Sequence, residues 1–276
     1  MFVWLLNLLD ITNDITFSVV VFTAIIGLIF GSFATFVGFR LFNDEVSITG
    51  KRSVCCKCKH KLAFFDLIPF FSFLFLRGRC RYCREKIPFW HFIAEVLMPI
   101  TFIISVVLFN GVNPQSMLLC IISWCLITQS IIDIRVMMSS DFLHIITLAS
   151  TFALSRLMGN SAKDIGLMML VVVVLFIVLS QSMKIILKKD CLGFGDVKLF
   201  VALSVLFNIE QFTLFIGLTG FIGILFAGIK KLWFIRKSKN NNVEVAIESS
   251  ISQAFPYIPA ISLAFFIVFY IYLFNL

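Results

Sequence analysis

The sequence predicts an all-α polytopic membrane protein with about eight transmembrane helices, and three observations carry that prediction. Of the 276 residues 60% are hydrophobic and 14% charged, against roughly 25% charged in an ordinary soluble domain. The mean hydropathy is +1.03. Apolar stretches of about 20 residues, the length a helix needs to cross the hydrocarbon core of a bilayer, recur along the whole chain. A water-soluble globular surface, a disordered chain, a collagen and a secreted disulfide scaffold are all excluded by this composition.

The N-terminal sixteen residues contain Asp10 and Asp14 and neither Lys nor Arg. A cleavable signal peptide starts with a basic region, so the N-terminus is expected to be retained. Spans are expected near residues 17–40, 91–109, 115–132, 141–157, 165–186, 197–209, 212–233 and 256–275, the sixth being short. The chain then reads as three parts: 1–40, an N-terminal segment and the first transmembrane helix; 41–90, a long loop; and 91–276, a core of seven helices.

With the N-terminus outside, the loops after the odd-numbered spans face the cytoplasm and should collect the basic residues. Of the 23 Lys and Arg residues only Arg156 and Lys163 fall elsewhere. The first such loop holds the block from Arg40 to Lys86, the second Arg135, the third Lys184, Lys188, Lys189 and Lys198, and the fourth Lys230, Lys231, Arg236, Lys237 and Lys239. The net charge of +8 is therefore read as a topology signal and not as a nucleic-acid footprint. Both termini are placed outside.

The loop 41–90 contains two C-x-x-C knuckles, Cys55/Cys58 and Cys80/Cys83, with 21 residues between the pairs. Two knuckles can present four thiolates in a tetrahedron, and the flanking Lys and Arg favour the ionised form that zinc requires. In a reducing compartment a disulfide is disfavoured and a metal is the better explanation. Four protein ligands leave no open position for water, so the expected zinc is structural. Cys56 is out of register; Cys120, Cys125 and Cys191 read as core or boundary residues. The Phe-rich stretch around Leu74 to Leu76 is too apolar for a solvated linker and too short to span, which predicts an interfacial or re-entrant segment.

An ionisable group at the bilayer centre costs roughly 2.5–3.5 kcal/mol, so each one in or beside a span calls for a reason. Four acids qualify: Glu95, Asp133, Asp141 and Asp196. Asp196 follows Gly193-Phe194-Gly195, and glycines permit a backbone approach that a side chain would block. Two aspartates from different helices can share one proton and one water, one acting as general base while its protonated partner polarises a carbonyl. The plainer alternative is that each acid caps a helix or pairs with a nearby base, Asp133 with Arg135 or Asp196 with Lys198. Spacing alone leaves both open.

The motifs taken together resemble the type IV prepilin peptidases. The resemblance rests on Leu192-Gly193-Phe194-Gly195-Asp196-Val197-Lys198-Leu199, on Asp133-Ile134-Arg135, and on Gly31-Ser32-Phe33. It also rests on the loop with Cys55-x-x-Cys58, Asp66-Leu67-Ile68-Pro69 and Leu76-Arg77-Gly78-Arg79-Cys80-Arg81-x-Cys83. It runs from about residue 28 to 200 and weakly to Ile258-Pro259. It implies an aspartic endopeptidase of the bacterial cytoplasmic (inner) membrane, with its active site toward the cytoplasm. Such an enzyme removes the basic leader of prepilins or type II secretion pseudopilins, and S-adenosylmethionine-dependent N-methylation of the new terminus follows in many members. On matching positions Asp133 and Asp196 would be catalytic, with Gly193, Gly195, Lys198, Asp141 and Glu95 supporting. Cys55, Cys58, Cys80 and Cys83 would hold zinc. The expected partners are the pilin precursor and membrane lipid, with no nucleic acid.

Three departures stand out: Thr35 replaces the family's asparagine after Gly31-Ser32-Phe33-Ala34, Ser140 replaces the proline before Asp141, and Cys56 replaces the proline after the first cysteine. Thr35 bears on methyl transfer, because that position and Glu95 belong to the face associated with it. A presenilin-like intramembrane protease shares the paired aspartates but has no use for the cysteine loop. A proton-coupled transporter would show internal repeats and midplane charges, and neither is visible. A basic leader would also repel this basic loop, leaving Asp66, Glu85 or anionic lipid as candidate recognition groups.

Overall fold

The computed structural model describes residues 17–42, 53–55, 57–187, 193–238 and 255–274. Cys56, Cys191 and Leu192 lie outside the described residues. Among those described the regular structure is helical apart from two isolated antiparallel bridges. The chain divides into two compact units, 1–131 and 132–276.

In the first unit, α1 (Phe17–Arg40) buries a narrow stripe of small residues at every fourth position, Thr23, Gly27, Gly31 and Thr35, together with Ala34 and Gly38. That stripe lies against α3 (Phe89–Leu108). A methyl group at Gly27 would overlap the backbone of Pro99, and one at Gly31 would come within 3.0 Å of the Glu95 Cα, so only glycine lets these helices meet so closely. Ala34, Ala94, Met98, Phe102, Ile127 and Ile131 form the buried core, bringing in the first part of α4 (Pro114–Val136). Phe33 stacks on Trp124 at 5.6 Å.

Between α1 and α3 the loop carries a 3-10 turn (Phe64–Leu67) and a short helix α2 (Phe71–Phe75). Phe64, Phe65, Phe71, Leu74 and Phe75 are exposed, while Phe73 packs inward on Phe92 at 4.8 Å. This is the apolar, non-spanning segment that the sequence predicts.

The second unit holds the end of α4 and then α5 (Asp141–Leu157), α6 (Ala162–Leu187), α7 (Phe194–Ser204), α8 (Ile209–Ser238) and α9 (Ile258–Phe274). The eight expected spans are helical at their expected places, but among the described residues only α1, α3, α4, α6 and α8 are long and apolar enough to cross a membrane by themselves. At 1.5 Å per residue α5 is about 26 Å long and α7 about 17 Å, both short of the roughly 30 Å of hydrocarbon. Because α7 ends early, its last carbonyls need partners that lipid cannot supply. Two buried hydroxyls on α5 provide them: Thr151 donates to the Ala202 carbonyl at 2.8 Å and Ser155 to that of Val205 at 2.9 Å.

The sixth helix was expected to run to residue 209, yet it stops at Ser204 and a new helix starts at Ile209. The cause is local. Asn208 and Gln211 form a helix start, the Gln211 side chain accepting the Asn208 N–H at 3.0 Å. On α6, Leu170, Val174, Ile177 and Val178 are exposed. A face that apolar needs lipid as its solvent.

Candidate active site and metal centre

Asp133 lies one turn before the end of α4, Asp141 opens α5 after a four-residue connection, and Asp196 sits in the first turn of α7. Asp133 is 7% exposed. Its Oδ2 accepts the backbone N–H of Ile258 at 2.9 Å, a buried bond that ties the C-terminal end of α4 to the N-terminus of α9. Asp133 and Asp196 are close enough to interact electrostatically. The same unit therefore brings two carboxylates from different helices to one end of its bundle.

The glycines before Asp196 are there for space. A methyl group at Gly193 would fall 2.7 Å from the Asp196 Oδ2, because that carboxylate folds back over the helix start, and one at Gly195 would overlap the Ser139 hydroxyl. Tyr257 also interacts electrostatically with Asp196, and its ring fills the notch left by Gly223. Lys198 does not pair with its neighbour Asp196. It reaches across to Asp141 at 2.5 Å and lies over the Phe194 ring, 4.8 Å from its centroid, linking α5 to α7. The charge that acts on Asp196 is that of Asp133.

Sequence reasoning passed over Ser139, His144, Tyr257 and the Ile258 N–H. For His144 a signal existed, since it stands three residues after Asp141 and shares its helix face. The Ile258 amide carries no side-chain signal at all.

In the first unit the two knuckles are built alike. The N–H of Cys55 donates to the His60 carbonyl at 3.0 Å and that of Cys80 to the Glu85 carbonyl at 2.8 Å; Lys59 and Arg84 then donate back to the Cys55 and Cys80 carbonyls, both at 3.0 Å. Lys59 and Arg84 take up positive φ, 55° and 59°, closing each knuckle in the same left-handed step. The four sulfurs of Cys55, Cys58, Cys80 and Cys83 lie within 4.8 Å of one another, and the Cys55 and Cys83 sulfurs are 3.8 Å apart. Tetrahedral bonds of about 2.3 Å to zinc separate sulfurs by about 3.8 Å, so the donor set fits one such ion.

The crowded thiols divide their acidity. Burial opposes ionisation of Cys55, but hydrogen bonds from the Cys58 and Lys57 amides and from the Cys58 and Cys80 thiols outweigh it and bring the group down to about 7. At Cys83 the Glu85 amide favours the thiolate, yet burial and the three other thiols push the group up to about 11. The acids considered for leader recognition are already engaged: Asp66 with Arg81 at 2.8 Å and with the Tyr82 hydroxyl at 3.1 Å, Glu85 with Lys57 at 3.3 Å.

Glu95 has a definite partner. Its carboxylate accepts the N–H of Phe70 at 2.8 Å, at the start of α2, where Phe70 holds φ at 65°. Thr35 spends its hydroxyl on the Ser32 carbonyl of its own helix at 2.8 Å. The two side chains that the resemblance associates with methyl transfer thus both hydrogen-bond the chain's own backbone.

Residues 25–109 match the family described as the bacterial peptidase A24 N-terminal domain, and residues 120–228 match the type IV leader peptidase family. Among curated proteins the chain is similar to a prepilin leader peptidase/N-methyltransferase of Vibrio cholerae, 28% identical over 68% of this chain and 77% of the relative. It is similar to the type 4 prepilin-like proteins leader peptide-processing enzyme of Escherichia coli, 29% identical over 71% and 80%. A prepilin leader peptidase/N-methyltransferase of Bacillus subtilis is 27% identical over 73% and 79%. No solved structure matches.

Proposed function

From the premise that the chain belongs to the type IV leader peptidase family, we propose that Asp133 and Asp196 are the catalytic pair with which it removes the leader from prepilins or pseudopilins. The observation that carries this reading is the approach of two carboxylates from α4 and α7, one held by the Ile258 amide and the other given room by Gly193.

With one of its oxygens fixed by Ile258, Asp133 keeps the other for a water shared with Asp196. One carboxylate takes a proton from that water as it attacks the scissile carbonyl, while the protonated partner donates to the carbonyl oxygen. The tetrahedral diol then collapses as the first carboxyl gives its proton to the leaving amine and the partner carboxylate takes one back from the diol. Asp141 and Lys198 act indirectly, bracing α5 against α7 so that the turn bearing Asp196 keeps its place.

The four cysteines would hold a structural zinc, which supplies a crosslink between the two ends of the loop. The chain is a multi-pass protein of the bacterial cytoplasmic membrane in this reading, with the catalytic end of its second unit toward the cytoplasm, as the distribution of Lys and Arg favours. The substrate arrives by its own apolar helix, and S-adenosylmethionine would supply the methyl group for its new terminus, in keeping with the double name of the relatives. Incubating the purified protein with a prepilin and S-adenosylmethionine, and reading the product's N-terminus by mass spectrometry, tests the reading. Recovery of intact precursor from an otherwise folded enzyme would overturn it.

A further inference from the structure

The second unit has an open groove of about 490 Å³ between the end of α4, the later turns of α8 and the start of α9. Its walls are apolar, with Ile134 and Met137 on one side, Ile229 on another and Pro256 and Pro259 on the third; among the residues lining it Lys230 alone is charged. That volume falls in the range of small-ligand sites. Two of the walls belong to the segments that hold Asp133. Ile134 follows Asp133 on α4, and the N–H of Met137 donates to the Asp133 carbonyl at 2.9 Å. Pro256 and Pro259 flank the Tyr257-Ile258 step whose amide holds the Asp133 carboxylate. That wall is poor in free polar groups: the prolines carry no N–H, the Ile258 N–H is spent on Asp133, and the Tyr257 carbonyl already accepts from Ala260 and Ile261 at 3.0 and 3.2 Å.

Met137 is the unusual member. It follows the last residue of α4 with φ at 53°, the left-handed step that commonly ends a helix and that glycine takes most cheaply. A side chain there is strained, and at 47% exposed this one recovers little by burial. It has a purpose if something apolar packs on it, and methionine is the adaptable side chain of such surfaces. Of the two parts of the precursor that flank the scissile bond, the basic leader is repelled by Lys230, whereas the apolar mature part matches the walls. We propose that this groove binds the first apolar residues on the mature side of the scissile bond, with Met137 packing on them, and so selects which residue can follow the cut. This rests on Asp133 being catalytic, since only then does the groove border the cut.

Met137→Gly removes the side chain and the strain together, so stability and binding should part. In the full-length protein in detergent, with a purified type IV prepilin as probe, it should melt at the wild-type temperature or above. Its KM should rise on the order of tenfold while kcat stays within about threefold, the pattern of lost uniform binding. Ile229→Trp, at an exposed position on α8, fills the groove without touching the core and should raise KM likewise. In an Asp196→Asn background, where precursor is not turned over, both changes should weaken precursor binding by the same factors. Replacing the first mature residue of the prepilin by Ser should raise KM for the wild-type enzyme and change it little for Met137→Gly. Unchanged KM in both folded variants overturns the proposal, and so does undiminished discrimination against the Ser precursor in Met137→Gly. Variants whose only change is a weaker stabilisation by added phosphatidylglycerol would make the groove a lipid site and overturn it too. Cleavage by Asp133→Asn removes the catalytic reading and this one with it, whereas an inactive Asp133→Asn beside unchanged KM in the groove variants removes this one alone.

Discussion

At the scale of single residues, the proposed site depends on which carboxylate oxygens are held and which are left for water. Asp133 has one oxygen on the Ile258 amide. Replacing Asp133 or Asp196 by Asn preserves shape while removing a proton acceptor, so each variant should remain folded and retain less than about a tenth of wild-type cleavage. Prepilin processing followed on a gel decides the matter; substantial cleavage by either variant would rule out the pair. Asp141→Asn should be milder, since it loosens a brace without touching the water. Gly193→Ala tests geometry without changing any charge. The new methyl group would press on the Asp196 carboxylate from 2.7 Å, and a displacement approaching 1 Å at a reacting group costs about a hundredfold in rate. Wild-type turnover in that variant would mean the carboxylate does not work from where it lies. The aspartates and glycines were legible because their side chains, or the lack of them, are the signal. The Ile258 amide was not, because any residue but proline supplies one.

The elements show where periodicity suffices and where it fails. Among the described residues the helices at all eight expected spans were legible in the pattern of apolar stretches, because lipid requires each helix to satisfy its own backbone bonds. The stopping point of α7 was not: it depends on two hydroxyls some fifty residues away in sequence, and on the start signal from Asn208 to Gln211. In the cysteine loop, spacing was enough, for two identical knuckles bring four sulfurs within 4.8 Å. Purified protein should hold about one zinc per chain, lost on changing Cys55, Cys58, Cys80 or Cys83 to Ser and retained in Cys56→Ser. The acidities give the pH dependence its sign. Zinc binds thiolates, and with Cys83 pushed up to about 11 at least one proton must be displaced near neutrality. Below about 7, the Cys55 thiol adds another. Apparent affinity should therefore fall as pH falls, more steeply below pH 7, by about tenfold per unit for each proton displaced. A competition titration with a chromophoric chelator from pH 8 to pH 6 measures it, and a flat profile would count against thiolate ligation.

For the whole molecule the question is whether cleavage and methylation are separable. The first unit contains Gly31, Thr35 and Glu95, and the second contains Asp133 and Asp196. Hydrolysis needs a water between two carboxylates, whereas methyl transfer needs a donor held beside a neutral amine, and these draw on different residues. Glu95 is where the two explanations conflict, because it is both the acid expected to serve methylation and the acceptor that ties Phe70 and α2 to α3. Removing it destroys both features at once: Glu95→Ala should impair methylation more than cleavage if the charge matters, but a loosened loop would produce a similar loss. Glu95→Gln separates them, since an amide carbonyl can still accept the Phe70 N–H while the charge is gone. We expect Glu95→Gln to keep its zinc, its melting temperature and near wild-type cleavage while the ratio of methylated to unmethylated mature pilin falls at least about tenfold, the effect of losing some 1.4 kcal/mol of selective stabilisation. Thr35→Asn should leave cleavage unchanged and raise that ratio if its departure from the family has weakened the activity. Mass spectrometry of the mature pilin reads the ratio directly. Full methylation by Glu95→Gln beside a defect in Glu95→Ala would make Glu95 an anchor for the loop and withdraw it from methyl transfer, and equal loss of both activities in Glu95→Gln would mark a fold defect.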